Sequence, residues 1–228
     1  MENEVVASAE SEPVLSPLEA RVLGCLMEKE ATTPDIYPLS LNSLVNACNQ
    51  KNNRAPVMAV DDDAVVAALE LLKDKHLITL FSGANARALK YRHKFFEIWP
   101  VEPAAQAFMC ELMLRGPQTA AGLRGNCERL AAVPDLGGAE ELLIDLAARP
   151  AGPMVRKLER QPGQKESRWA ALIVEGGDAV GTATFTEKTT VSVALKLPPE
   201  AEARIVALEA EVAALKREFS ALRDSLGG

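Results

Sequence analysis

The side chains with the strongest claim to chemistry are two histidines, His76 and His93, and four cysteines, Cys25, Cys48, Cys110 and Cys127. Acid–base catalysis by histidine needs a nucleophile or acid held beside it. His76 falls at the end of a helical stretch, where a polar ring suits the terminal carbonyls, and His93 lies among basic residues. Neither has an obvious catalytic partner in sequence. The cysteines are widely spaced, with no CxxC pair, so neither metal-ligand spacing nor a disulfide framework is present. Reduced thiols packed as small hydrophobes are the expectation. Neither a GxxxxGK[ST] loop nor a GxGxxG turn after a strand occurs, and adjacent acids such as Glu140 and Glu141 read as a solvated helix face. The sequence thus predicts no enzyme, no metal site and no cofactor.

Three basic groupings remain. Arg87, Lys90, Arg92 and Lys94 flank Tyr91 and His93, while Arg156, Lys157, Arg160, Lys165 and Arg168 lie around Trp169. Lys51 and Arg54 stand in a polar loop with Asn49, Gln50, Asn52 and Asn53. Such side chains suit contacts to nucleic-acid phosphate, which give affinity but little sequence information. They equally suit solvent-facing strands, where charge protects a sheet edge.

The elements that must carry these residues can be read from the apolar period. Ser16, Pro17 and Glu19 form a helix start of the capping-box kind, followed by Leu18, Val22, Cys25 and Leu26 on one face. Pro34 and Pro38 end that helix. Ser40 caps a second helix with Leu41, Leu44 and Val45 inward. Asp61, Asp62 and Asp63 favour the start of a third, which Val65, Ala68, Leu69 and Leu72 continue. Leu77, Thr79 and Phe81 then alternate as the inward face of a strand, and a second strand returns over Leu89 to Phe95. Three helices followed by a β-hairpin is the order of a winged helix.

The same order recurs. A helix runs from Pro103 to Arg115, Thr119 caps the next, and Leu142, Leu143 and Leu146 mark the third. Met154–Leu158 and Arg168–Ile173 are strands around a Pro162-Gly163 turn. Ala20 to Cys25 matches Ala105 to Cys110, and Ser40, Leu44 and Cys48 match Thr119, Leu123 and Cys127 with identical gaps, as an internal duplication would. The organisation predicted is an acidic N-terminus at 1–14, winged-helix domains at 15–100 and 101–174, a Gly/Thr-rich linker at 175–197 and a coiled-coil helix at 198–228. The fold class is therefore mainly α with small β-hairpin wings. In the last helix Ile205, Leu208, Val212, Leu215, Phe219 and Leu222 follow steps of three and four, the pattern of a two-stranded parallel coiled coil. In such a homodimer Arg204 faces Glu209, Glu211 faces Lys216 and Glu218 faces Arg223. An amphipathic helix folding back on its own domains is the alternative.

A chain of 228 residues with 48% apolar and 25% charged side chains has an ordinary globular composition. Its net charge of −7 resides in the two tails, both domains being neutral. No apolar run is long enough to span a membrane, and the start lacks the basic and apolar regions of a signal peptide, so a cytoplasmic location is expected.

The opening run from Ser16 to Glu30, the Leu39–Pro56 segment with its Asn49-Gln50-Lys51-Asn52-Asn53-Arg54 stretch, Arg115-Gly116-Pro117-Gln118-Thr119 and Pro162-Gly163-Gln164-Lys165-Glu166 resemble the YceH family of bacterial proteins. The resemblance covers residues 15–174. It implies tandem winged helices and carries over no catalytic residue.

Two functions fit. One is a dimeric regulator touching DNA phosphates through the wings and the Asn-rich loop. The other is a protein-interaction scaffold with no nucleic-acid binding. The outward faces of the third helices, Asp63, Glu70 and Asp74 in one half and Glu140, Glu141 and Asp145 in the other, suit a major groove poorly.

Overall fold

A computed structural model describes residues 12–81 and 89–177. The C-terminal helix, its six contact residues, most of the linker and Arg87 lie outside the described residues. Within them the chain is mainly helical, with two small antiparallel sheets in a winged-helix-like arrangement.

The first helix, α1 (Pro17–Thr32), begins on the capping box read from sequence: the Glu19 backbone N–H donates to Ser16 Oγ at 3.3 Å, and the Ser16 N–H donates to the Glu19 carboxylate at 2.8 Å. Burial runs almost all around it, from Glu19 to Glu28, so α1 is a central helix rather than a one-sided surface helix. Ser40 closes β1 (Leu39–Ser40) and caps α2 (Leu41–Cys48), and Asp61 caps α3 (Asp62–Asp74). The wing follows as β2 (Ile78–Phe81) and β3 (Lys90–His93). β1 pairs with β3, Leu39 opposite Tyr91, giving a three-stranded sheet in the order β1-β3-β2. The alternation expected in β2 is not seen. Leu77 and Ile78 are buried, whereas Thr79, Leu80 and Phe81 are all exposed. Only the root of the hairpin reaches the core, and the strand beyond Ile78 projects past it.

A short helix, α4 (Phe95–Ile98), joins the halves, with Phe95 and Trp99 fully buried in ring contact. The order then repeats as α5 (Pro103–Arg115), α6 (Ala120–Cys127) and α7 (Leu136–Ala147), ending in a hairpin of β4 (Val155–Lys157) and β5 (Trp169–Ala171). Thr119 caps α6 as expected, while the cap of α7 is Asp135. The positions matched between halves take matched places: Cys25 and Cys110, Leu44 and Leu123, Cys48 and Cys127 are all buried.

One hydrophobic cluster runs through both halves, with α1 packed along α5 at its centre. Gly24 permits this approach, because a Cβ there would stand 3.0 Å from the Leu114 side chain. Its carbonyl accepts the Cys110 S–H at 3.4 Å. The N-terminal segment ties down the other end: the Leu15 N–H donates to the Ile173 carbonyl, and the Glu175 N–H to that of Leu15, each at 2.8 Å.

Candidate functional site

The Asn-rich loop shows how local chemistry shapes a candidate contact. Asn49 spans it as a pair of hydrogen bonds to Val60, its amide donating to the Val60 carbonyl and its oxygen accepting from the Val60 N–H, both at 2.8 Å. Asn53 takes a left-handed conformation with φ of 57°, which asparagine tolerates better than most residues. The turn exposes Lys51, Asn52 and Asn53 and drives Arg54 inward.

Arg54 is therefore corrected from a surface contact to a core residue, 6% exposed. Its guanidinium forks onto Glu28, at 3.2 Å to Oε1 and 2.5 Å to Oε2, and also donates to the Ala47 carbonyl and the Gln50 side chain. Glu28 is shared. Arg129 donates to it at 2.8 Å and to Glu111 at 2.6 Å, so a chain of charges runs from the first half through α1 to α5. Burial alone would raise the Glu28 carboxyl, but hydrogen bonds from Arg54 and Arg129 outweigh it and hold the group below the usual carboxylate range. Burial works against the Arg54 cation, and the bond and charge of Glu28 together with the neighbouring Cys25 more than offset it. Such pairs, bidentate and charge-assisted, are strong but cannot also hold a phosphate.

The first wing is also largely committed. Arg92 lies 3.4 Å from Glu30, and Lys94 lies 2.5 Å from Glu97. His93 joins the same group: its Nε2 is 2.7 Å from Glu30, and its Nδ1 accepts the Phe95 N–H. The hydrogen bond from His93, helped by Arg92 and opposed by burial, sets Glu30 below its ordinary value. Lys90 is half-buried on β3.

The second wing differs. Arg156, Lys157, Arg160 and Lys165 are exposed, and Lys157 lies over the Trp169 ring at 5.5 Å from its centroid. Lys157, Arg160 and Lys165 have no ion pair among the described residues, although Glu159 and Glu166 are exposed in the same segment. Arg168 is half-buried and donates to Gln161 at 3.4 Å. The structure thus exposes four basic side chains of the second wing, whereas Arg54 lies in the core.

The cysteines offer no exposed nucleophile. A hydrogen bond with Cys25, then burial, raises Cys48, and burial raises Cys110 and Cys127, so these thiols stay protonated and poorly reactive. Among the described residues no helix is long and apolar enough to cross a membrane. Sequence reading missed the Glu28–Arg129–Glu111 network. Its one local signal was a glutamate closing the run of buried positions from Glu19 to Glu28 on α1.

Residues 15–164 match the model of a family described as "Protein of unknown function, DUF480". A UPF0502 protein of Pelobacter propionicus is 45% identical over 93% of this chain and 94% of its own length. One from Geobacter sulfurreducens is 46% identical over 90% and 91%, and one from Pectobacterium atrosepticum 44% over 91% and 97%. The chain belongs to the DUF480 family, the UPF0502 or YceH proteins that its signature segments resemble.

Proposed function

We propose that the protein is a non-catalytic regulator built from tandem winged-helix domains, residues 15–100 and 101–174, which grips DNA phosphates through its second wing. The observation that carries this reading is the exposed set Lys157, Arg160 and Lys165, free of ion pairs among the described residues, with Arg156 exposed beside it. The acidic outer faces of α3 and α7 keep the third helices from acting as readers, so the contact is to the backbone and sequence discrimination is weak. Lys51, Asn52 and Asn53 are exposed and can extend the contact. The C-terminal helix pairs two copies through Ile205, Leu208, Val212, Leu215, Phe219 and Leu222, bringing two wings to one duplex. Changing Val212 and Leu215 to Glu would then yield a monomer in sedimentation velocity; an unchanged mass would reject the coiled-coil pairing.

The test of DNA contact is fluorescence anisotropy of a labelled random-sequence duplex across a salt series. Binding should weaken with a log–log slope near −0.9 for each phosphate neutralised, and the K157E/R160E/K165E variant should reduce that slope by about 2.7. Arg92→Glu should cost less, since Arg92 already faces Glu30. Absence of binding at low salt would remove the DNA reading. A second reading, a scaffold for a basic protein partner, is favoured by α3 and α7 themselves. Exposed Leu71 and Ile144 sit there among Asp63, Glu70, Asp74, Glu140, Glu141 and Asp145.

A further inference from the structure

Arg21 is a buried cation that the fold does not neutralise. It is 1% exposed and has no ion pair among the described residues. Its guanidinium donates instead to three carbonyls, those of Cys48 at 3.2 Å, Pro56 at 2.7 Å and Leu114 at 3.4 Å, while its Nε has no partner among the described residues. Cys48 and Leu114 stand at the ends of α2 and α5, where partial negative charge favours a cation. That is less than a full counter-charge, and a buried charge without one is costly. Burial accordingly makes the Arg21 cation easier to deprotonate than an ordinary arginine.

Arg21 forms part of the wall of a cleft of about 630 Å³ between α1, α5 and the second sheet, within the size range of small-ligand sites. Two further arginines line it. Among the described residues Arg115 keeps only a loose contact with Glu111, at 3.7 Å, and the Arg168 side chain only the long bond to the neutral Gln161. One carboxylate, Glu175, is exposed on the lining. Between the charged groups the lining is apolar, with Met58, Met113 and Leu158 among it. Three guanidinium groups against one carboxylate, on an apolar floor, select a molecule with a negative head and a hydrocarbon body.

We propose that this cleft is a binding site for a small organic anion of that kind. Arg168 and Arg115 take the head group by charge-assisted hydrogen bonds. Arg21, too buried for much direct contact, stabilises the head through its field in a poorly screened interior. The apolar side chains hold the body. Because Leu114, Arg115 and Gly116 end α5 while Leu158 and Arg168 flank the second wing, an occupant would brace that wing against the helix pair.

The probe is anilinonaphthalenesulfonate, an aromatic sulfonate whose fluorescence rises in apolar surroundings, titrated into the full chain with octanoate, octanol and octylamine as competitors. Saturable one-site binding is expected, displaced best by octanoate. Arg168→Gln should weaken it on the order of tenfold, the loss of one charged hydrogen bond. Met58→Trp, which fills the cleft without removing charge, should abolish it. Near-UV circular dichroism checks that each variant remains packed. Equal displacement by octylamine, affinity unchanged in both packed variants, or no saturable binding would overturn the proposal. The K157E/R160E/K165E protein should bind the probe normally, which separates this site from the wing.

Discussion

Glu28 is one carboxylate serving two arginines, and its removal leaves both without their counter-ion. Glu28→Gln keeps the shape and deletes the charge. Breaking a buried pair in this way costs about 3–5 kcal/mol, to be read from the urea midpoint by circular dichroism at neutral pH. The pH dependence has a definite sign. The folded-state carboxyl lies below its ordinary 4.5, so its stabilisation is complete above that value and is lost as pH falls through the folded pKa. The gap between wild type and E28Q should therefore close as the medium is acidified. A gap that stays constant in acid would show that the loss in E28Q does not come from titration of the Glu28 carboxylate. The same residues mark the limit of sequence reading. Ser16 and Glu19 were legible because a cap and its partner lie three residues apart. Arg54 was not: its immediate neighbours, Asn53 and Ala55, are exposed, and the carboxylate that draws it inward stands 26 residues earlier. Arg129 meets Glu28 across 101 residues, which no local pattern encodes.

Among the elements, α1 and α5 matter most, and their contact depends on the absence of a side chain at Gly24. A glycine in mid-helix weakens that helix by about 1 kcal/mol relative to alanine, so its presence is explained by packing. Gly24→Val should lower stability by about 1–3 kcal/mol through overpacking against Leu114, measured by the denaturant midpoint. An unchanged midpoint would mean the two helices can separate freely. Helix caps were read correctly from sequence at Ser16, Ser40 and Thr119, and the acids Asp61 to Asp63 do stand at the start of α3, where Asp61 is the cap. Strands fared less well. β1 is two residues long and exists by pairing with Leu89's neighbours Lys90 and Tyr91, a contact with no local signature. In β2 the exposed Leu80 and Phe81 look the same in sequence as buried ones, because projection of a wing beyond the core is a tertiary property.

At the scale of the whole described region, the repeated element order predicts two units, yet a common cluster and the Leu15 bridge join them. Each half carries one tryptophan, Trp99 and Trp169, both buried. Trp169→Phe leaves a reporter in the first half, and Trp99→Phe leaves one in the second. Both should report the same urea midpoint, as one cooperative unit requires; two well-separated midpoints would show that the halves unfold independently. The shared carboxylate adds a consequence for ancestry. If the halves arose by copying, the alignment that sets Cys25 on Cys110 also sets Glu28 on Met113. One copy carries the charge and the other a thioether, so the two are no longer interchangeable parts. A chain assembled from two first halves would have two glutamates and no Arg129, and one from two second halves would have no Glu28 at all. What began as a repeat now behaves as a lock and its key.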